Sequence, residues 1–360
     1  LTITGPLFIP AYHETITAQN LEERLHYYQL DNAGIRKEQL IEHIADPLQA
    51  RKLFTATLTR TLIDHVRHAP PDELIAIARQ GLQELQTKDI QVYVTNPQIE
   101  DLLIQRGAAA QINRSTRHDG LYVVQADLNA NKASRYVRTQ LHDVVTLDAH
   151  GGATHVLQMR LIYNQIGPVY GLDTYRDYVR VYVPSGARLL WGHGFDSGIP
   201  FCGGALAPCP TYDVYSDGTL LCPASMSQPG ASTTMLDDPY AGHFHPLDKI
   251  GPPTNLQSDM AGRAMFGGWV IVPKNCTVTI TLSWYVPPIG AAYSLLIQRQ
   301  SSTFPELDLT ILTTAQYCGK LQITGKHFSG LLSGRDVFFS LTPGHSQKHA
   351  GTECEPPLRV

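Results

Sequence analysis

This chain lacks any run of about 18 apolar residues, so no segment of it reads as a bilayer-spanning helix. Charge is scarce as well. Asp, Glu, Lys and Arg make up 17% of the 360 residues, below the roughly 25% usual in soluble domains. The net charge of −4 gives no global field to draw in nucleic acid or an anionic membrane surface. No CxxC pair occurs, which argues against a zinc ribbon or a thioredoxin-like motif. GxSxG is absent too, and with it the nucleophile elbow of the α/β hydrolases. A chain beginning at Leu1 leaves any signal or anchor to be sought outside it.

What is present divides unequally near residue 113, helical before it and β after it. In the first part, Leu1 to Pro10 alternates apolar residues around Gly5-Pro6 and reads as one or two short strands. Thr17 or Asn20 can cap a helix through Leu21, Leu25 and Tyr28. Asp46-Pro47 is a start signal, a carboxylate cap followed by a residue that needs no donor. Phe54, Leu58, Leu62 and Val66 then recur every four residues and make the core stripe of a helix over Pro47–His68. Pro70-Pro71 ends it and opens another, with the stripe Leu74, Ala78, Leu82 and Leu85. Ile90 to Val94 is a buried-strand run, expected to share a small sheet with the chain start and to lie under those two helices. Asn96-Pro97 starts a last helix that Gly107 stops.

From His118 the period is two. Apolar and β-branched runs cover Leu121–Leu128, Arg135–Leu147, Thr154–Tyr163, Tyr175–Val183, Ala264–Val272, Cys276–Val286 and Tyr293–Gln300. Shorter ones follow at Leu307–Leu312, Lys320–Thr324 and Val337–Leu341. Gly151-Gly152 marks a hairpin and Pro184-Ser185-Gly186 a turn. Short strands with turn signals between them and no visible helices predict an antiparallel, immunoglobulin-like sandwich. Residues 191–260 interrupt it with an irregular Gly/Pro/Ser-rich insertion, and a stretch that long is a functional loop or a disordered one. The expected organisation is α+β: a helical domain with a small sheet over 1–112, N-terminally incomplete, then a sandwich over 113–342 with insertion 191–260, then a flexible tail over 343–360.

Two segments, Asp127-Leu-Asn-Ala-Asn-Lys-Ala133 and Tyr175-Arg-Asp-Tyr-Val-Arg-Val-Tyr-Val-Pro-Ser-Gly186, together with Arg51-Lys52-Leu-Phe and Gly5-Pro6 ahead of Ile16-Thr-Ala-Gln-Asn20, resemble the bacterial domain-of-unknown-function 4012 family. The likeness covers most of residues 1 to 190 and 265 to 315. It implies an envelope-associated protein, often behind a membrane anchor, and assigns no activity to any residue. A fainter likeness is to the LytR-CpsA-Psr phosphotransferases, whose arginine-rich catalytic segment has no match here.

Six cysteines, Cys202, Cys209, Cys222, Cys276, Cys318 and Cys354, suit an oxidising compartment in so loop-rich a chain, six unpaired thiols being the alternative. At least one cross-link is expected among the first three, with Cys276 and Cys318 pairing with each other or with the remaining thiol. His243 and His245, with Asp248, form an HxH pair and a carboxylate that could hold a divalent metal, against the plainer reading of a surface loop. No other cofactor is expected. Trp191, His193 and Asp196, where the insertion leaves the sheet, and Tyr175 and Tyr178 are candidates for a ligand or partner; half-buried core is the competing reading of the tyrosines. Arg36, Arg51 and Lys52 could meet an anion, although the acids among them favour a solvated face. Asp127, Asn129 and Asn131 imitate the start of a calcium loop without its glycine and distal glutamate. The expected function is a non-enzymatic, extracellular bacterial envelope protein whose sandwich binds a cell-wall glycan or an envelope protein. The alternative is an envelope enzyme or carrier acting on a phosphorylated glycan or lipid-linked precursor. Contact with a membrane is expected only through an anchor outside the chain.

Overall fold

Gly5, at φ +72°, turns the chain into β1 (Leu7–Ile9), which pairs antiparallel with β2 (Glu14–Ile16) in the computed structural model. The structure describes residues 1–109, 111–127, 131–167, 169, 174–195, 258, 260–290, 292–317 and 320–341. Two compact units emerge, Leu1–Leu85 and Gln86–Val360.

In the first unit, α1 (Leu21–Leu30), α2 (Asn32–Glu42), α3 (Pro47–Ala50), α4 (Leu53–Arg67) and α5 (Pro71–Gln86) follow the hairpin. Tyr12, Tyr28 and Phe54 form its aromatic centre, with Tyr28 stacked on Phe54 at 4.2 Å between ring centroids. The single helix expected over Pro47–His68 is broken at Arg51-Lys52. The buried carboxylate of Glu38, on α2, accepts from the backbone N–H of Phe54 at 3.0 Å, and that donor is available only if a new helix starts there. The small sheet also differs from expectation. β1 finds its partner across a three-residue turn closed by His13 in the left-handed region, so it needs no distant strand, while Val92 bridges to Ala109 in the second unit. On α5, Leu74 and Leu82 of the apolar stripe remain exposed.

The second unit starts earlier than the sequence suggests, at residue 86 rather than 113. Arg299 is the reason. Its guanidinium is fully buried and donates to the backbone carbonyls of Thr87, Thr303, Ser333 and Gly334 and to the Asp89 carboxylate. Every nitrogen of that fork has an acceptor, which is what makes a buried guanidinium tolerable. Lys88 pairs with Asp336 beside it. Residues 87–89 are thereby tied to the strands, and α6 (Pro97–Gln105), capped by Asn96 as expected, follows.

The remaining strands are β3 (Asp119–Val124), β4 (Val137–Leu147), β5 (Ala153–Tyr163), β6 (Thr174–Pro184), β7 (Arg188–His193), β8 (Arg263–Pro273), β9 (Thr277–Val286), β10 (Ser294–Gln298), β11 (Glu306–Tyr317), β12 (Lys320–Leu331) and β13 (Val337–Ser340). They make two sheets, ordered β13-β10-β3-β6-β8 and β12-β11-β4-β5-β9-β7, that share one core. The sheets are mixed rather than wholly antiparallel, because β10 runs parallel to β3 and β11 parallel to β4. The cause is a repeated plan. β3 crosses to the hairpin β4–β5 and the chain returns as β6 beside β3; β10 crosses to the hairpin β11–β12 and returns as β13 beside β10. Set side by side in the same direction, these two blocks make their first strands parallel neighbours, and their two crossings run together at one end of the sheets. The insertion departs after β7 and returns at β8, the edge strands of the two different sheets. At its departure Gly194, at φ +85°, leaves no room for a Cβ against Thr279, and Phe195 packs into the notch at Gly268.

One buried charge cluster spans the sheets. Both ring nitrogens of His155, on β5, lie 2.9 Å from carboxylates, Nδ1 from Asp143 on β4 and Nε2 from Asp119 on β3 of the other sheet. The ring is stacked 4.6 Å from Trp284, and Tyr293 donates to Asp119. Burial alone would lower the histidine's pKa, but Asp143 and Asp119 outweigh it and push it up to about 10. The imidazolium is therefore the form that folds.

Two predictions follow from these buried cations. Replacing Arg299 with Met, which strands Asp89 and four carbonyls, should lower stability by about 3–5 kcal/mol in urea denaturation, and Lys should not restore it, lacking the planar fork. For His155, a folded pKa above the unfolded 6.5 gives a stability contribution that is complete below about pH 6.5 and lost as pH climbs through about 10. Denaturation midpoints measured across that range should fall in the wild type and fall less in His155→Gln.

Candidate functional site

Where the two crossings run together they leave a cavity of about 640 Å³, within the roughly 300–1,000 Å³ of ordinary ligand sites. One wall is Gln125, Asp127, Ser134, Arg135 and Arg138, on the first crossing and the start of β4; the other is Gln300 to Phe304. They are stitched by a reciprocal pair: the backbone N–H of Gln125 donates to Gln300 Oε1 and Gln300 Nε2 donates back to the Gln125 carbonyl, both at 2.8 Å. Parallel neighbours permit this, since the two chains leave their sheet together and in register.

The floor is polar and closed on itself. Thr139 donates to Gln125 Oε1 at 2.9 Å, and Gln125 Nε2 donates to Asp177 Oδ2 at 3.1 Å. The other Asp177 oxygen accepts from the Ala126 N–H at 2.6 Å. Tyr175, on β6, reaches the same group and lines the cavity. Burial raises the Asp177 pKa to about 7 against the lowering effect of its hydrogen bonds, and it pushes the Tyr175 hydroxyl well up as well. The rim is lined by Ser301, Ser302 and Thr303 on one wall and by Asp127, Ser134, Arg135 and Arg138 on the other. Arg135 lies over the ring of Tyr136, and Arg138 is 3.7 Å from Glu306 in an exposed pair. The second wall is held hard. Arg299 donates to the Thr303 carbonyl and lies 5.0 Å from the Phe304 ring, and Ser302 is kept in the left-handed region, φ +60°. A serine there stores strain that the surroundings must hold, a feature that clusters at ligand clamps.

The sequence candidates fall as follows. Tyr175 and Tyr178 are 1% and 3% exposed, so neither offers a ring face to a partner. Tyr178 packs edge-on against Trp269, while Tyr175 presents only its hydroxyl to the cavity. Both sit on a central strand whose two faces are covered, which is why the exposed reading fails. Trp191 and His193 stack at 5.2 Å on edge strand β7, with β5 and β9 between it and the cavity wall at β4. Arg36, Arg51 and Lys52 are exposed on the first unit. Asp196, His243, His245, Asp248, Cys202, Cys209, Cys222, Cys318 and Cys354 lie outside the described residues; Cys276 is buried just ahead of β9. Among the described residues, no three His, Cys, Asp or Glu side chains come together as metal ligands. Asn131 is committed elsewhere, donating to the Thr174 carbonyl and accepting from Ala133 N–H, so the calcium-loop reading of Asp127 and Asn131 loses a ligand. The residues missed in the sequence are Gln125, Arg135, Arg138 and 300–304. Their one visible signal is the polar run Gln300-Ser-Ser-Thr303 lodged between two apolar strands.

No protein-family model matches the chain, and no curated protein matches it. Among solved structures, a crystal structure of a candidate protease from Parabacteroides distasonis aligns at 11% identity over 56% of this chain and 36% of that one, with a TM-score of 0.24. A likeness at that level carries no argument about fold or activity.

The Asp177 carboxyl gives the site a measurable signature. With its pKa raised from 3.8 to about 7, its stability contribution is complete below about pH 4 and lost as pH rises through 7. A carboxyl-carbon NMR titration should place its midpoint near 7; a midpoint near 4 would show that water reaches the group.

Proposed function

We propose that this chain is a non-enzymatic protein of the bacterial cell envelope, and that its β unit binds an envelope component, glycan or protein, in the cavity between the two crossings. One observation carries the reading. The polar floor of the cavity, Gln125, Thr139 and Tyr175, is spent on hydrogen bonds within itself and to Asp177, so it shapes the cavity, while the rim carries the exposed side chains of Ser134, Arg135 and Arg138. Binding sites on rim loops held by a rigid scaffold are the common arrangement. The likeness to the domain-of-unknown-function 4012 family supports the envelope setting, as does the even number of cysteines, which suits an extracellular, oxidising location with cross-links. The immunoglobulin-like label rests on two sheets around one core. No helix among the described residues is long and apolar enough to cross a membrane.

The test is cosedimentation of the full chain with purified bacterial envelopes. Wild type should pellet, and Ser301→Trp, which fills the cavity from its rim, should stay in the supernatant with an unchanged circular dichroism spectrum. Equal pelleting of the two, or none by either, would overturn the proposal.

A further inference from the structure

Resting on the reading of this cavity as a binding site, we infer that its occupant is an anionic saccharide, a sugar ring bearing a carboxylate or phosphate. Three features of the walls converge on that chemistry. First, the lining carries two guanidiniums, Arg135 and Arg138, beside one carboxylate, Asp127. The ion pair that occupies Arg138 is long and exposed, 3.7 Å with side chains 59% and 44% accessible, and an exposed pair of that kind is weak. A ligand anion entering a partly enclosed cavity competes well against it, and guanidinium recognises carboxylate and phosphate alike through paired N–H donors.

Second, the opposite wall offers Phe304, 55% exposed at the rim. Its other face lies 5.0 Å from the buried Arg299 guanidinium, which fixes the ring and makes it a flat apolar platform. An aromatic face beside hydroxyls suits a pyranose, whose C–H face stacks while its hydroxyls bond. Third, Ser134, Ser301, Ser302 and Asp127 line the same cavity with hydroxyls and a carboxylate. They supply the mixed donors and acceptors that sugar hydroxyls need. An acidic peptide would use the guanidiniums and leave the platform and hydroxyl ring idle.

The experiment is isothermal titration of the full chain with four probes: an oligogalacturonate, glucose 1-phosphate, a neutral cello-oligosaccharide and an oligo-aspartate peptide. An acidic saccharide should bind at least about tenfold more tightly than the neutral one, and the first two probes tell carboxylate from phosphate. Binding should weaken steeply at about 0.5 M salt, fall about tenfold in Arg138→Ala, and fall in Phe304→Ala for saccharides but not for the peptide. Thermal melts and circular dichroism of both variants check that each still folds. Equal affinity for neutral and acidic sugars would overturn the inference, as would peptide binding as tight as sugar binding with no effect of Phe304→Ala. Should all four probes fail while wild type still pellets with envelopes and Ser301→Trp does not, the cavity remains a binding site and the assignment of its ligand is wrong.

Discussion

The guanidinium of Arg299 is the interaction on which the second unit turns. A buried arginine is costly to desolvate unless its donors find acceptors, and this one finds them in three separate stretches: residues 87–89, where it meets the Thr87 carbonyl and the Asp89 carboxylate, the crossing at 303, and the β12–β13 turn at 333 and 334. Satisfying one group therefore fixes the start of the unit, one wall of the cavity and a hairpin turn together. The same group anchors Phe304 from beneath. Core stability and rim geometry are thus coupled through a single side chain, whose loss would be felt in both.

His155 does comparable work deeper in the sheets. Asp119 and Asp143 come from different sheets, and two buried carboxylates facing each other would repel without a cation between them. The histidine is held charged by that need, and Trp284 covers its face. The charge on His155 makes the joint between the sheets responsive to alkali.

Much of the architecture was legible because it rests on local pattern. The period-two runs from Leu121 to Leu341 match the observed strands to within a few residues at most ends, and Asp46-Pro47, Asn96-Pro97 and Gly151-Gly152 mark two helix starts and a hairpin as read. What failed depends on contacts between residues far apart. Nothing near residue 51 announces that Glu38 will cap Phe54, and nothing near residue 86 announces Arg299. The site was less legible still. Gln125 and Gln300 acquire meaning only because β3 and β10 run parallel, and strand direction is not written in alternation. Tyr175 drew notice in the sequence for its aromatic ring, yet it meets the cavity through its hydroxyl alone.

The paired crossings also determine how freely this protein can vary. Much of the cavity wall is connection rather than strand, and each crossing begins and ends on strands whose register is fixed elsewhere along their length. Rim residues such as Ser134, Ser301 and Phe304 can therefore be exchanged, and the first crossing lengthened, while the shared core keeps its packing. The second crossing is short and pinned at Thr303, so it acts as the constant jaw and the first as the variable one. In a scaffold of this kind sequence change is tolerated mainly along residues 125–127 and 131–136, in the manner of a vice whose one face is interchangeable.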